Sequence, residues 1–112
     1  MDETLARERL IARLAELEEE DRIGEDAQEP VSLQQDAVGR LSRIDAMQQQ
    51  AMAQATQRRR DAERQRIGAA LRRLDEGEWG WCATCGENIA EARLEHDPSV
   101  AQCVACASKV ES

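Results

Sequence analysis

Between Asp2 and Arg22 the chain has no glycine or proline, and Leu5, Leu10, Ile11, Leu14 and Leu17 recur near helical spacing. This periodicity predicts an amphipathic helix with one apolar stripe. Thr4 is a candidate N-cap, but Arg7 rather than an acid follows three residues later, so no capping box marks the start. The acidic run Glu18-Glu19-Glu20-Asp21 falls at the predicted C-terminal end, where the helix dipole disfavours negative charge. Gly24 and Pro30 bracket the connector Glu25-Asp26-Ala27-Gln28-Glu29, in which the chain is expected to turn. Ser32 is the candidate N-cap of a second helix reaching about Glu76, weakened only at Gly39 and Gly68.

The apolar positions of the second helix are Leu33, Val38, Leu41, Ile44, Met47, Ala51, Met52 and Ala55, then Ile67, Leu71 and Leu74. Alanine and methionine dominate the middle, which suits close packing against one partner helix and not a multi-helix core. The expected fold is therefore mostly α. An antiparallel two-helix coiled-coil hairpin occupies residues 1–77, with its tip within about 23–46, tied at the base by Ile67, Leu71 and Leu74. Residues 78–112 form a separate small module. Because the hairpin satisfies its own seam, a monomer is expected.

Charge alters this picture in two ways. The 112 residues hold 15 Lys and Arg against 23 Asp and Glu, a net charge of −8. Duplex DNA repels a protein of that sign, so direct sequence-specific DNA binding is not expected. The charge is also uneven, at −7 for residues 1–30, +3 for 31–77 and −4 for 78–112. Arg58, Arg59, Arg60, Arg64 and Arg66 make a candidate basic ridge. Either it compensates the acidic helix beside it, or it meets an acidic protein surface or a nucleic-acid backbone.

Trp79 and Trp81 are the only aromatic residues, so a chain this short needs a staple beyond its apolar core. No apolar run approaches a membrane span, and the acidic N-terminus is unlike a secretory signal. The expected location is the cytoplasm, with no membrane partner. In that reducing compartment four cysteines point to metal rather than disulfides. Cys82-Ala83-Thr84-Cys85 and Cys103-Val104-Ala105-Cys106 form two C-x-x-C pairs separated by 17 residues, a spacing suited to a four-cysteine zinc site. Two intervening residues let both thiolates of a knuckle face one ion, and two knuckles complete a tetrahedron. Four thiolates leave no position for water or substrate, so one structural Zn²⁺ is expected and no enzyme activity. Gly86 follows the first pair, where a positive φ lets the chain turn back. The sole histidine, His96, is expected to be a surface residue. Met47 and Met52 are expected to fill the helix seam.

The block Trp79-Gly80-Trp81-Cys82-Ala83-Thr84-Cys85-Gly86, with Ile89, Glu91-Ala92-Arg93-Leu94-Glu95, Pro98 and Cys103-Val104-Ala105-Cys106, resembles the C4 zinc finger of the DksA/TraR family. The resemblance covers about a third of the chain, and the preceding hairpin agrees with the family's architecture. It implies a bacterial transcription regulator that binds RNA polymerase, inserting its coiled coil into the secondary channel, often together with ppGpp. The family's acidic tip, Asp-x-x-Asp-x-Ala, is matched at Asp36 by one acid only, and Asp45-Ala46 lies farther along, which makes Asp36, Asp45 and Ala46 the tip candidates. Only Ala107 to Ser112 follow the last cysteine, shorter than the C-terminal helix some relatives use for polymerase and ppGpp. Two other readings stand beside this one: a zinc-dependent scaffold binding another protein through the arginine ridge, and a thiol redox switch that ejects zinc on oxidation.

Overall fold

The computed structural model describes residues 1–28 and 40–111. Four helices follow in order: α1 (Glu3–Gln28), α2 (Arg40–Glu76), α3 (Glu91–His96) and α4 (Val104–Glu111). Among the described residues there is no strand, only an isolated antiparallel bridge between Trp81 and Asn88. The molecule is elongated, with extents of 60 × 32 × 20 Å. No helix among the described residues is long and apolar enough to cross a membrane.

Asp2, not Thr4, caps α1: its Oδ1 accepts the Leu5 amide at 2.7 Å. α1 and α2 run antiparallel, because Arg7 pairs with Asp75, Arg13 with Glu63 and Asp21 with Arg60. Their buried seam is Ala6, Leu10 and Leu17 against Ile67, Ala70 and Leu74, with Leu14 and Leu71 half-buried beside it. The base of the hairpin is thus where the apolar pattern puts it. The stripe is narrower than the pattern suggests: Leu5 and Ile11 point outward. They are apolar neighbours of the seam, displaced from the 6–10–17 line that faces α2.

Three sequence expectations change above Leu17. First, α1 does not end near Arg22 but continues through Gly24 to Gln28. Gly24 is tolerated because Arg60 crosses the helix there; a Cβ on Gly24 would sit 2.8 Å from Arg60 Nη2. Second, the acidic run is therefore not a helix end, and it is paired. Glu19 bonds Arg22, Glu20 faces Arg13 at 3.1 Å, and Asp21 receives Gln57, Arg60 and Arg64. Third, Met47 and Met52 do not fill the seam. They are 68% and 70% exposed, since α2, at 37 residues against 26 for α1, runs past the last residues of its partner. The predicted cap Ser32, along with Leu33, Val38 and Gly39, lies outside the described residues.

The C-terminal end of α2 stops at Gly77 for a local reason. Gly77 adopts φ +74°, its amide bonds the Leu74 carbonyl at 3.3 Å, and the Glu78 amide bonds the Arg73 carbonyl at 2.8 Å. This is a Schellman cap, and it turns the chain toward the cysteine-bearing segment.

Candidate metal centre

Two knuckles carry the cysteines. In the first, Gly86 takes φ +78° and its amide donates to the Cys82 carbonyl at 2.9 Å, while the Cys82 amide donates to the Glu87 carbonyl at 2.7 Å. The turn aims the Cys85 amide at Cys82 Sγ, 3.5 Å away. In the second, Cys103 precedes α4 and Cys106 lies in its first turn, with the Ala107 amide closing on the Cys103 carbonyl at 3.0 Å. The Ala83 amide donates to the Ala101 carbonyl at 2.8 Å, and Gln102 Nε2 to Thr84 Oγ1 at 2.8 Å, so each knuckle braces the other.

The four sulfurs lie within 4.8 Å of one another, and Cys85 Sγ stands 3.7 Å from Cys103 Sγ. That is far too long for a disulfide bond of about 2.05 Å. A tetrahedral zinc with bonds of about 2.3 Å requires sulfurs about 3.8 Å apart, which the donor set matches. Electrostatics point the same way. Backbone amides, that of Cys85 first, pull the Cys82 thiol down to about 6, while the neighbouring sulfurs, Cys103 first, push the Cys106 thiol up to about 12. Four clustered thiols resist full ionisation on their own, and a divalent cation removes that resistance. Cys82, Cys85, Cys103 and Cys106 form a C4 zinc-binding site. His96 is exposed and takes no part in the sulfur cluster.

The module is welded to the hairpin base. Trp79 is buried and its indole N–H donates to the Pro98 carbonyl at 2.9 Å. Ile89, Leu94 and Cys106 join Leu10 and Leu74 in one continuous core. From the hairpin, Arg9 donates to the Glu95 carbonyl at 2.6 Å and Arg73 to the Val100 carbonyl at 3.3 Å. Within the module, Arg93 Nε donates to the Gln102 carbonyl at 2.9 Å, tying α3 to the residue before Cys103. None of these braces is marked as such by a motif in the sequence. Arg93 stood in view inside the Ala-Arg-Leu run, whereas Gln102 and Arg9 carried no signal.

The other sequence-predicted residues are dispersed. Asp36 lies outside the described residues. Asp45 and Ala46 are exposed near the start of α2. The five arginines do not share one face: Arg58, Arg59 and Arg66 are exposed, whereas Arg60 and Arg64 turn inward to Asp21. The helical period explains the split, since residues 60 and 64 fall on the same side as Ile67.

A closed tetrathiolate at the base of a helical hairpin defines a structural zinc-finger protein. Residues 77–112 match the family model of the prokaryotic dksA/traR C4-type zinc finger. The chain is 40% identical over 57 residues to the RNA polymerase-binding transcription factor DksA of Haemophilus influenzae, an alignment covering 48% of this chain and 39% of that relative's length. Its fold matches the structure of transcription factor DksA2 from Pseudomonas aeruginosa with a TM-score of 0.72, at 23% identity, over 97% of this chain and 82% of the other. Residues 77–112 thus resemble the dksA/traR C4-type zinc finger, and the chain shares its fold with DksA2, while it spans less than half the length of the curated relative it matches.

Proposed function

We propose that this chain is a non-enzymatic transcription regulator that binds RNA polymerase by inserting its hairpin into the secondary channel, acting as a monomer in the cytoplasm. The observation that carries this reading is the pairing of a dksA/traR-type finger with a DksA-like fold across nearly the whole chain. In this reading residues 1–77 are the inserted arm and residues 78–112 the base. Zinc holds the base, the base sets the direction of the arm, and the tip acts through Asp36, Asp45 and Ala46. Net negative charge supports binding to a protein rather than to promoter DNA. The scaffold reading is weakened by Asp21, which engages two of the five ridge arginines.

The test is open-complex lifetime on a set of promoters, with polymerase from the same source and with and without ppGpp. The zinc-loaded protein is expected to alter the lifetime, and the double variant Asp36→Asn, Asp45→Asn is expected to bind polymerase without that effect. Neither binding nor any change in lifetime would sink the reading.

A further inference from the structure

Independently of the polymerase reading, we propose that Cys85 is the exchange ligand of the zinc site: the sulfur that leaves the ion first, where an incoming metal acceptor or a soluble electrophile attacks. The four ligands are chemically alike, so what separates them is how each is held.

Cys82 and Cys106 are 3% and 7% exposed and belong to the continuous core with Leu10, Leu74, Trp79 and Leu94. Cys103 is half-buried and packs against that core. Cys85 is exposed and stands outside it. The backbone supports the same ranking. Cys103 lies between bonded neighbours: the Ala101 carbonyl accepts the Ala83 amide at 2.8 Å, the Gln102 carbonyl accepts Arg93 Nε at 2.9 Å, and its own carbonyl accepts the Ala107 amide at 3.0 Å. Cys82 Sγ receives the Cys85 amide at 3.5 Å. Beside Cys85 stands Gly86, where a Cβ would meet no atom within 4 Å, so the outer side of the first knuckle is open.

A thiolate can leave the ion only if its side chain has somewhere to go. Withdrawal of Cys82 or Cys106 leaves a void in packed core, which is costly. Cys85 needs only a turn about χ1 from one staggered well to another, ending in water. The three remaining thiolates, set in or against the core, keep the ion and leave one position free. A donor atom of the acceptor bonds to zinc there as the Cys85–zinc bond breaks, and the freed thiolate takes a proton from water; no oxidant is involved. An alkyl halide traps the same opening, because the Cys85 sulfur forms the carbon bond as the halide ion leaves.

The test uses the full chain loaded with zinc. Iodoacetamide is added below one equivalent, the chain is unfolded and stripped of metal, the remaining thiols are capped with isotopically heavy iodoacetamide, and tandem mass spectrometry locates the light label. The light label is expected at Cys85 about tenfold above each of Cys82, Cys103 and Cys106. In parallel, transfer of zinc to the chelator pyridylazoresorcinol is followed by absorbance, and its rate is expected to rise in proportion to chelator concentration. Equal labelling of the four sulfurs, first labelling at Cys103 or at either buried cysteine, or a transfer rate independent of chelator concentration overturns the proposal, since each would mean that the ion is released by general unfolding or through another ligand.

Discussion

Asp21 on α1 accepts the Arg60 Nε of α2 at 2.9 Å, at the level where the hairpin seam passes from apolar to polar. Below it Leu17 packs against α2; at its own level the same carboxylate also holds Gln57 and Arg64. One acid therefore replaces a layer of apolar packing. Asp21→Ala should lower the melting temperature and speed amide exchange over residues 53–64, with exchange in the cysteine-bearing segment unchanged. Equal acceleration in both places would show that the clamp is not local.

Acid should act on the same groups. The hydrogen bond from Gln57, with Arg60 and Arg64 beside it, holds the Asp21 carboxyl below its ordinary value, and the bond from Arg13 does so for Glu63. A depressed carboxylate contributes stability above its unfolded pKa and loses it as pH falls through the folded one. Stability of the hairpin, measured by urea titration, should be flat from neutral pH to about 5 and decline below about 4. Glu63→Gln should reduce that decline.

Trp79 tests the weld between finger and hairpin. Trp79→Phe keeps an aromatic ring in the core but removes the donor to Pro98, leaving a buried carbonyl unpaired. The expected cost is about 1–3 kcal/mol, read from urea denaturation of the zinc-loaded protein. A cost near zero would mean that water or another donor replaces the indole.

Zinc removal should separate the two ends of the molecule. A strong chelator is expected to redden the tryptophan emission as Trp79 leaves the core, while far-ultraviolet circular dichroism keeps most of its helical signal from α1 and α2. Rebinding should release protons, because the thiols ionise as they take the metal. Replacing any one of Cys82, Cys85, Cys103 and Cys106 by Ser should cut zinc affinity by orders of magnitude.

The zinc ligands were legible because their chemistry is local: two C-x-x-C pairs leave little freedom in what they can hold, and the surrounding run resembles one family. The base of the hairpin was legible because Leu10, Leu17, Ile67 and Leu74 keep helical period. What the sequence did not yield depends on partners across space. Gly24 reads as a break until Arg60 is seen crossing it. The acidic run reads as a poor helix end until Arg13 and Arg60 are seen opposite it. Arg60 and Arg64 read as part of a ridge because adjacency in sequence hides the 100° rotation per residue that turns them inward. Met47 and Met52 fit a seam by spacing, but spacing does not reveal where the partner helix ends.

Occupation of the secondary channel of RNA polymerase, proposed above for this hairpin, is read by displacement. Zinc-loaded protein is titrated against core polymerase already holding a labelled protein that occupies the channel. Full displacement is expected at micromolar or lower concentration, abolished when the protein is stripped of zinc. No displacement at saturating concentration, with the protein folded and one zinc bound per chain, would contradict it.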